Sequence, residues 1–274
     1  MWSRSRKPIG DASRRRVAVA LGAFAAIGTA AVIAASCSSE TTATAAKPVV
    51  DYGAAVAIGG GTARSYVVLD NGVPTELGVA LSAAALDSLP SAPLMGGYEF
   101  VLPLPAQNTT QFQVIGLNWN PTGHPPPMVY TVPHFDVHFY MVSSADRAAI
   151  APSDPSFAAE AANLPAVDLR PPGYVADPPA NAIPRMGIHW TDTSSAEFHG
   201  APFTRTFING SWNGQFVFFE PMVTRAYLLT HPDDLVPVRA AARRATTGYY
   251  PANYRVSWDA SASEWHIALS DLAR

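Results

Sequence analysis

The sequence predicts a mainly β fold, an antiparallel sandwich or barrel with a few short helices in a single domain. Short segments that alternate between apolar and polar residues recur along most of the chain, as expected for strands with one buried face. Glycine-, proline- and asparagine-rich turns separate these segments, a spacing typical of antiparallel β architectures. The chain of 274 residues is long enough to bury a large core and shows no fixed-period repeat.

Residues 1–37 are predicted to be an export signal rather than part of the fold. Six basic side chains and one acidic side chain occupy residues 1–16, and residues 17–36 are uncharged and rich in Ala, Val, Ile and Leu. A basic stretch, an apolar core and a small-residue exit are typical of such signals. The segment at 13–17 (SRRRV) resembles a twin-arginine signal, which indicates export of a folded protein.

Residues 34–37 (AASC) resemble a bacterial lipoprotein cleavage box, although that pattern prefers Leu where Ala34 stands. In a lipoprotein, Cys37 becomes the acylated first residue and anchors the domain to the membrane. Plain secretion and an uncleaved anchor are the alternatives, because the apolar run approaches the ~20 residues that span a bilayer. All three alternatives place the rest of the chain outside the cytoplasm.

The composition of the exported part excludes two classes of function. Beyond residue 37 the chain carries 12 Lys and Arg against 20 Asp and Glu, a net charge of −8. An acidic domain without a basic stripe is a poor nucleic-acid binder, because phosphate contacts need clustered cations. Cys37 is the sole cysteine, so the mature domain folds without disulfides and cannot use a thiol nucleophile.

The first half of the chain is predicted to run from a tether into hairpins. Residues 38–58 are interpreted as a flexible tether rich in Ser, Thr and Ala, and residues 59–274 as the mainly β domain. Asp70-Asn71-Gly72 is a hairpin signal between strands at 62–69 and 73–81. A short helix at 83–89, capped by Ser82, and strands at 98–102 and 112–119 follow.

The second half begins with a proline-rich loop at 120–127 and a strand at 133–141. A short helix starts at Ser143, and the proline-rich residues 151–184 are expected to cross the surface with one helical turn at 157–163. The remaining predicted elements are strands at 183–190, 203–208 and 215–219, helices at 221–230 and 235–246, and a closing hairpin of strands at 254–258 and 265–269.

The strand at 133–141 brings the most chemistry into one place. Alternate positions put Phe135, Val137, Phe139 and Met141 on one face and His134, Asp136, His138 and Tyr140 on the other, which predicts a half-buried strand. At ~3.3 Å per residue the Cα atoms of His134 and His138 are about 13 Å apart. They can share one metal only if the strand is bulged or strongly twisted, whereas Asp136 is close to both.

Two further segments supply potential ligands. His189 alternates with apolar neighbours, and Glu220 ends an apolar strand, where a buried carboxylate must be paired or coordinated. If both strands lie beside the strand at 133–141, the candidate metal ligands are His134, His138, His189 and Glu220. That set suits Zn, Fe, Mn or Cu, and an open position would activate water or dioxygen. Candidate supporting residues are Asp136, Tyr140, His124 and Glu197.

Simpler interpretations remain open for each residue. The polar face of the strand could line a hydrogen-bonded pocket or a subunit interface without any metal, and Glu220 could reach solvent or cap a following helix. His124 could be a lid residue, an extra ligand or an exposed loop residue. His199, His231 and His266 are interpreted as surface residues. No nucleophile elbow, zincin, Walker or dinucleotide-binding motif is present, so catalytic residues and enzymatic activity stay undetermined.

Several motifs resemble an uncharacterised bacterial family of exported proteins whose domain of unknown function is typified by a Thermus protein. They are GTARSY at 61–66, GVPTELGV at 72–79, NWNP at 118–121, and residues 133–140, 186–190 and 203–221. The resemblance spans most of residues 55–230 and implies a secreted, mainly β domain that forms a homo-oligomer. It implies no activity. The strand at 133–141 also resembles a cupin metal motif, but cupins place one residue between the paired histidines where this chain has three.

The sequence therefore predicts an exported, lipid-anchored envelope protein of unknown activity with a His/Asp/Glu pocket for a metal or a small ligand. One alternative is a metal-dependent hydrolase or oxygenase. Another is a non-catalytic oligomeric scaffold whose polar face is buried between subunits. The expected partners are the membrane, an unidentified small ligand and a second copy of the chain, and the cofactor is expected to be a divalent transition metal.

Overall fold

Fourteen β-strands run through residues 47–274, the part of the chain that the computed structural model describes. In chain order they are β1 (Val49–Tyr52), β2 (Val56–Ile58), β3 (Gly61–Asp70), β4 (Val73–Ser82), β5 (Tyr98–Leu102), β6 (Val114–Asn120), β7 (His134–Tyr140), β8 (Tyr174–Ala176), β9 (Ile188–Asp192), β10 (Arg205–Trp212), β11 (Gln215–Thr224), β12 (Asp233–Pro237), β13 (Tyr250–Asp259) and β14 (Glu264–Ala273). The predicted signal and Cys37 lie outside the described residues.

The strands form two seven-stranded antiparallel sheets. The first has the order β1-β3-β4-β14-β13-β12, with β2 also paired to β3. The second has the order β5-β6-β7-β11-β10-β9-β8, so β7 lies near its centre. The predicted mainly β fold is confirmed, and its architecture is a sandwich rather than a closed barrel within residues 47–274.

Both sheets contribute to one core. The first sheet supplies residues such as Val67, Leu77 and Leu269, and the second supplies residues such as Phe135 and Phe139. These side chains occupy alternate positions of their strands, as the period of two requires. The apolar face predicted for residues 133–141 is therefore the face that packs against the opposite sheet.

Helices are few and short. The α-helices are α1 (Ser144–Ala149), α2 (Phe157–Ala162) and α3 (Arg225–Leu228), and the 3-10 helices are Ala83–Leu86, Val167–Leu169, Pro179–Asn181 and Ala196–His199. Ser143 begins α1 with a capping box that it forms with Asp146. No helix among residues 47–274 is long and apolar enough to cross a bilayer.

Three segments cover the outer face of the second sheet, the face that carries His134, Asp136 and His138. The loop at 121–133 places Tyr130 beside Phe203, Ile208 and Met222. Helix α1 and the turn around Met186 close the opposite end, where Met186 packs with Tyr140 and Phe218. The chain itself therefore buries this polar face, and no second subunit is needed to cover it.

Several predicted boundaries are corrected by strand pairing. Residues 49–58 do not belong to the predicted tether at 38–58, because β1 and β2 pair with β3 and belong to the first sheet. The helix predicted at 83–89 is a 3-10 helix at Ala83–Leu86, and the Ser82 side chain does not cap it. The helix predicted at 221–230 is confirmed only as the short α3, because β11 continues to Thr224 between two neighbouring strands. The helix predicted at 235–246 is wrong, since this region begins with β12, which pairs with β13.

Candidate metal centre

Strand β7 holds four polar side chains in a fully buried setting. It pairs with β6 on one side and with β11 on the other. His134, Asp136, His138 and Tyr140 are each at most 5% exposed, so the strand is buried on both faces rather than on one as predicted. Such groups need hydrogen bonds, ion pairs or coordination, because burial without them is costly.

His138, His189 and Glu220 converge from three strands and form what we call the deep triad. Glu220 lies opposite His138 in the β7–β11 ladder, as the flanking pair of Phe219 with Phe139 shows. His189 reaches the group from β9, two strands away from β11. One ligand-type atom of each residue lies within 4.8 Å of the other two.

The separations within the deep triad suit a shared metal better than hydrogen bonds. His138 Nε2 is 3.4 Å from Glu220 Oε1, and His189 Nε2 is 3.7 Å from Glu220 Oε2. Ligand atoms about 2.1 Å from a tetrahedral metal lie about 3.4 Å from one another. The three side chains are therefore spaced like three corners of such a coordination shell.

Three buried polar atoms of the deep triad have no hydrogen-bond partner. Both ring nitrogens of His138 are buried with no partner, and so is Glu220 Oε2. Each unsatisfied buried group costs about 1–3 kcal/mol. A cation bound between the imidazole and carboxylate groups would remove that cost, which identifies this place as the strongest candidate site of the described residues.

Burial disfavours charge on all three side chains of the deep triad. It lowers the pKa of His138 to about 3 and that of His189 to about 4. Burial, with a smaller effect of the Asp136 charge, raises the pKa of Glu220 well above its usual range. A bound cation would reverse this balance by favouring the carboxylate, and both imidazoles are already in the neutral form that binds metals.

Aromatic rings form the walls of the deep triad. The ring of Tyr140 stacks on His138 with 5.5 Å between centroids. The ring of Phe218 packs edge-on against His138 at 4.9 Å and against His189 at 5.4 Å. Phe218 can occupy this place because its cross-strand partner is Gly210, where a Cβ atom would lie 1.9 Å from the ring.

His124, His134 and Asp136 form a second group, which we call the rim triad. Asp136 Oδ1 is 3.1 Å from His134 Nε2, and Asp136 Oδ2 is 3.4 Å from His124 Nε2. Asn120, the neighbour of His134 on β6, donates a 2.7 Å hydrogen bond from Nδ2 to Asp136 Oδ2. The His124 side chain is 31% exposed, so this group borders solvent.

The surroundings of the rim triad favour charge, in contrast to those of the deep triad. Burial opposes ionisation of Asp136, but the charges and hydrogen bonds of His134 and His124 outweigh it and hold the pKa of Asp136 well below its usual range. Burial likewise disfavours the cation of His124, yet Asp136 and the Pro125 carbonyl raise its pKa. The two triads thus share one sheet face but differ in electrostatic state.

The structure divides the predicted ligand set. It joins His138, His189 and Glu220, whereas His134 lies with Asp136 and His124 instead. The cause is the separation anticipated along the strand, because residues four apart on β7 point the same way without meeting. The set predicted as a single site therefore corresponds to two groups of three.

Of the predicted supporting residues, Tyr140 packs on His138 and Asp136 belongs to the rim triad. Glu197 belongs to neither triad and lies near Tyr130, whose pKa its charge helps to raise. His199 and His231 are exposed, in agreement with their interpretation as surface residues, whereas His266 is partly buried beside Tyr66.

The sequence did not predict a role for Asn120 or Gly210 at the site. The alternation of Asn118 and Asn120 with Leu117 and Trp119 was a usable signal, since it puts both amides on the polar face of a strand. Gly210 gave no such signal, because its importance depends on a ring carried by another strand.

Two surface cavities lie elsewhere in the described domain. One is lined by Arg243, Arg244, Tyr250, Phe216 and neighbouring residues, and the other by Trp119, Pro121, Arg225 and Leu86 among others. Neither is lined by a histidine or a carboxylate. The deep triad therefore does not open into either cavity.

Comparison with known proteins yields one match. A family model described as "TTHB210-like: Hypothetical protein TTHB210" matches residues 70–119. The predicted resemblance to an uncharacterised family typified by a Thermus protein is thereby confirmed for that segment. The segment includes no residue of either triad. No curated protein and no solved structure matches the chain.

Proposed function

We propose that this protein is an extracytoplasmic metal-binding protein that holds one divalent transition metal in the deep triad. The observation that carries the proposal is His138, an imidazole that is 1% exposed, has no hydrogen bond at either nitrogen and lies 3.4 Å from the buried carboxylate of Glu220. A cation is the simplest partner for all of these groups at once.

The ligand chemistry narrows the class of metal. Two imidazoles and one carboxylate form the protein part of several zinc sites and of non-haem iron sites. Zn, Fe, Mn and Cu all accept this set. Because the three ligands are carried by paired strands of one sheet, their spacing is held by the ladder rather than by a mobile loop.

Binding is supported better than turnover. The His138 and Glu220 side chains are only 1% and 2% exposed, and the His189 side chain is 16% exposed. A hydrolase or an oxygenase needs a cavity for substrate at the metal, and ligand sites are typically clefts with a few convergent polar groups. The two cavities described above do not reach the deep triad, so the proposed role is retention of the metal.

The extracytoplasmic location rests on the sequence pattern of residues 1–37. We place the domain at the membrane through a lipid on Cys37. Substitution Cys37→Ser is expected to shift the protein from the detergent phase to the aqueous phase in a phase-partition experiment, whereas Ser39→Ala is not. If both variants partition equally between the two phases, the lipid anchor is contradicted, but the metal proposal is unaffected.

The metal proposal is tested by elemental analysis of the purified full chain. We expect His138→Ala and Glu220→Gln each to lose about one equivalent of metal per chain relative to the wild type. His199→Ala is the matched control, because His199 is exposed and outside both triads. Equal metal content in all four proteins, or sub-stoichiometric metal in the wild type after reconstitution, would contradict the proposal.

A stability measurement separates loss of metal from loss of folding. At a metal concentration 100-fold above Kd, binding stabilises the wild type by about 2.7 kcal/mol. In chelator, Glu220→Gln is expected to melt no lower than the wild type, because it replaces a buried carboxyl group by a neutral amide. Addition of Zn²⁺ is then expected to raise the melting temperature of the wild type more than that of Glu220→Gln, which lacks the carboxylate of the deep triad.

A further inference from the structure

We infer that His124, His134 and Asp136 form a second and separate metal site, one that exchanges its metal with solvent. The inference goes beyond the proposed function because it uses none of the residues of the deep triad. The metal class is the same, since the donor set is again two imidazoles and one carboxylate.

Hydrogen bonds fix the orientation of both histidines. His134 Nδ1 lies 2.7 Å from the carbonyl oxygen of Val132, and His124 Nδ1 lies 2.7 Å from that of Pro125. A carbonyl oxygen only accepts, so Nδ1 of each ring carries the donated proton. The neutral imidazole then presents a lone pair at Nε2, and both Nε2 atoms face Asp136.

When the two rings are neutral, this orientation leaves acceptors facing acceptors. His134 Nε2 and Asp136 Oδ1 are 3.1 Å apart, and both are buried without a hydrogen-bond partner. A lone pair and a carboxylate oxygen repel each other, and that repulsion is removed either by a proton on Nε2 or by a metal ion between the two atoms, so the geometry accommodates a cation at this point. Histidines that bind metals typically donate their other nitrogen to a backbone carbonyl or a carboxylate, as His124 and His134 do here.

Asn120 holds the carboxylate of Asp136 in place. Its Nδ2 atom donates to Asp136 Oδ2, the oxygen nearer His124, and leaves Oδ1 toward His134. Asp136 is thus held in one orientation from β6, while the two imidazoles approach from β7 and from the loop before it. Hydrogen-bonded supports of this kind orient ligands around a metal.

The loop position of His124 makes this site accessible. The His124 side chain is 31% exposed, whereas the two ligands on β7 are buried. The loop is held by the hydrogen bond from His124 N to the Tyr130 carbonyl and turns at Gly123, whose φ of +70° favours glycine. One ligand on a surface loop and two on a strand make a site that opens by movement of the loop, unlike the deep triad.

The test is a titration of the metal-free full chain with Co²⁺, followed by the visible absorption of the bound ion. We expect two equivalents in the wild type, one in Asp136→Asn, one in His138→Ala and none in the double variant. His124→Ala is the second rim variant, and its side chain is exposed enough that circular dichroism should show an unchanged fold. His199→Ala is the control and should bind two equivalents.

A chelator challenge tests exchange. Asp136→Asn retains only the deep site and His138→Ala only the rim site, so the release rates of the two can be compared directly. We expect the rim site to release Co²⁺ at least tenfold faster.

The outcomes separate the two proposals. A single equivalent that is lost in His138→Ala but kept in Asp136→Asn and His124→Ala overturns the second site and leaves the deep one standing. A single equivalent that is lost only in Asp136→Asn and His124→Ala overturns the deep site and leaves the rim site standing. Absence of binding in the wild type overturns both, and equal release rates overturn the claim of exchange.

Discussion

Gly210 is the residue on which the shape of the deep triad depends. It has no side chain, and the ring of Phe218 lies over it and packs edge-on against both His138 and His189. A Cβ atom at this position would lie 1.9 Å from Phe218 Cε1 and 2.0 Å from Cζ, distances at which the ring must move. An aromatic ring over a cross-strand glycine is a recognised way of packing sheets.

Gly210→Ala is therefore expected to destabilise the protein by about 1–3 kcal/mol, the usual cost of overpacking, and to weaken metal binding at the deep triad. Chemical denaturation and Co²⁺ titration measure the two effects.

Gly116→Ala is the matched control for Gly210→Ala. Gly116 lies opposite His138 in the ladder, and a Cβ there would approach Glu99 Oε1 to 3.3 Å, a flexible contact. The control should change stability by less than about 1 kcal/mol. The double variant Gly210→Ala/Phe218→Leu should lose less stability than the sum of the losses in the two single variants, because the smaller leucine side chain removes the clash. Equal effects of the two alanine substitutions would contradict this account.

At the residue scale the sequence could predict which side chains share a face but not which of them meet. The period of two assigned His134, Asp136 and His138 to the polar face of β7 because that geometry is local. The partners of those residues depend on register and on loops. His124 reaches Asp136 from a proline-rich loop, and no spacing rule within one strand could have indicated that.

At the scale of elements, helix α1 covers one end of the polar face through a buried arginine. Arg147 contacts Glu99, and its guanidinium lies 4.4 Å from the centroid of the Tyr140 ring, whose other neighbour is His138. Arg185 binds the other oxygen of Glu99 at 2.7 Å. The Arg147 side chain is 6% exposed and that of Arg185 is 52% exposed, so two arginines share one carboxylate in different surroundings.

We expect Arg147→Ala to lower the free energy of unfolding by about 3 kcal/mol, because removal of one partner leaves a buried charge poorly compensated. Arg185→Ala should cost less than about 1 kcal/mol, since exposed ion pairs contribute little. Urea unfolding of the two variants measures the difference. If Arg185→Ala lowers the free energy of unfolding as much as Arg147→Ala does, the loss of an ion pair with Glu99 explains the effect, and the burial of Arg147 does not.

Elements were predictable where their signals are local. The Asp70-Asn71-Gly72 turn joins β3 and β4, and Ser143 begins α1, because turn and cap chemistry act within a few residues. The helix predicted at 235–246 and the first part of the helix predicted at 221–230, of which only α3 is helical, were wrong for the opposite reason. Residues there pair with strands distant in sequence, and such pairing overrides a local preference.

At the scale of the whole molecule, the two sheets share one core although both triads lie on the outer face of only one of them. Leu77 and Leu269 of the first sheet are fully buried in the same cluster as Phe135 and Phe139 of the second. The Trp265 side chain in β14 also donates a hydrogen bond from Nε1 to the carbonyl of Leu228 in α3, which directly follows β11. Neither sheet can lose its packing without exposing the apolar face of the other.

Metal binding is therefore expected to stabilise both sheets, including the one that contributes no ligand. A ligand that binds the folded state shifts the unfolding equilibrium of the entire cooperative unit. In hydrogen exchange measured with and without Zn²⁺, the slowest amides of β4 and β14 should gain as much protection as those of β7 and β11, because these core amides exchange through global unfolding. The double variant Glu220→Gln/Asp136→Asn has lost the carboxylate ligand of each triad. In this variant Zn²⁺ should change the protection of the amides in neither sheet. Protection confined to β7 and β11 would show that the sheets open separately and that the shared core does not couple them.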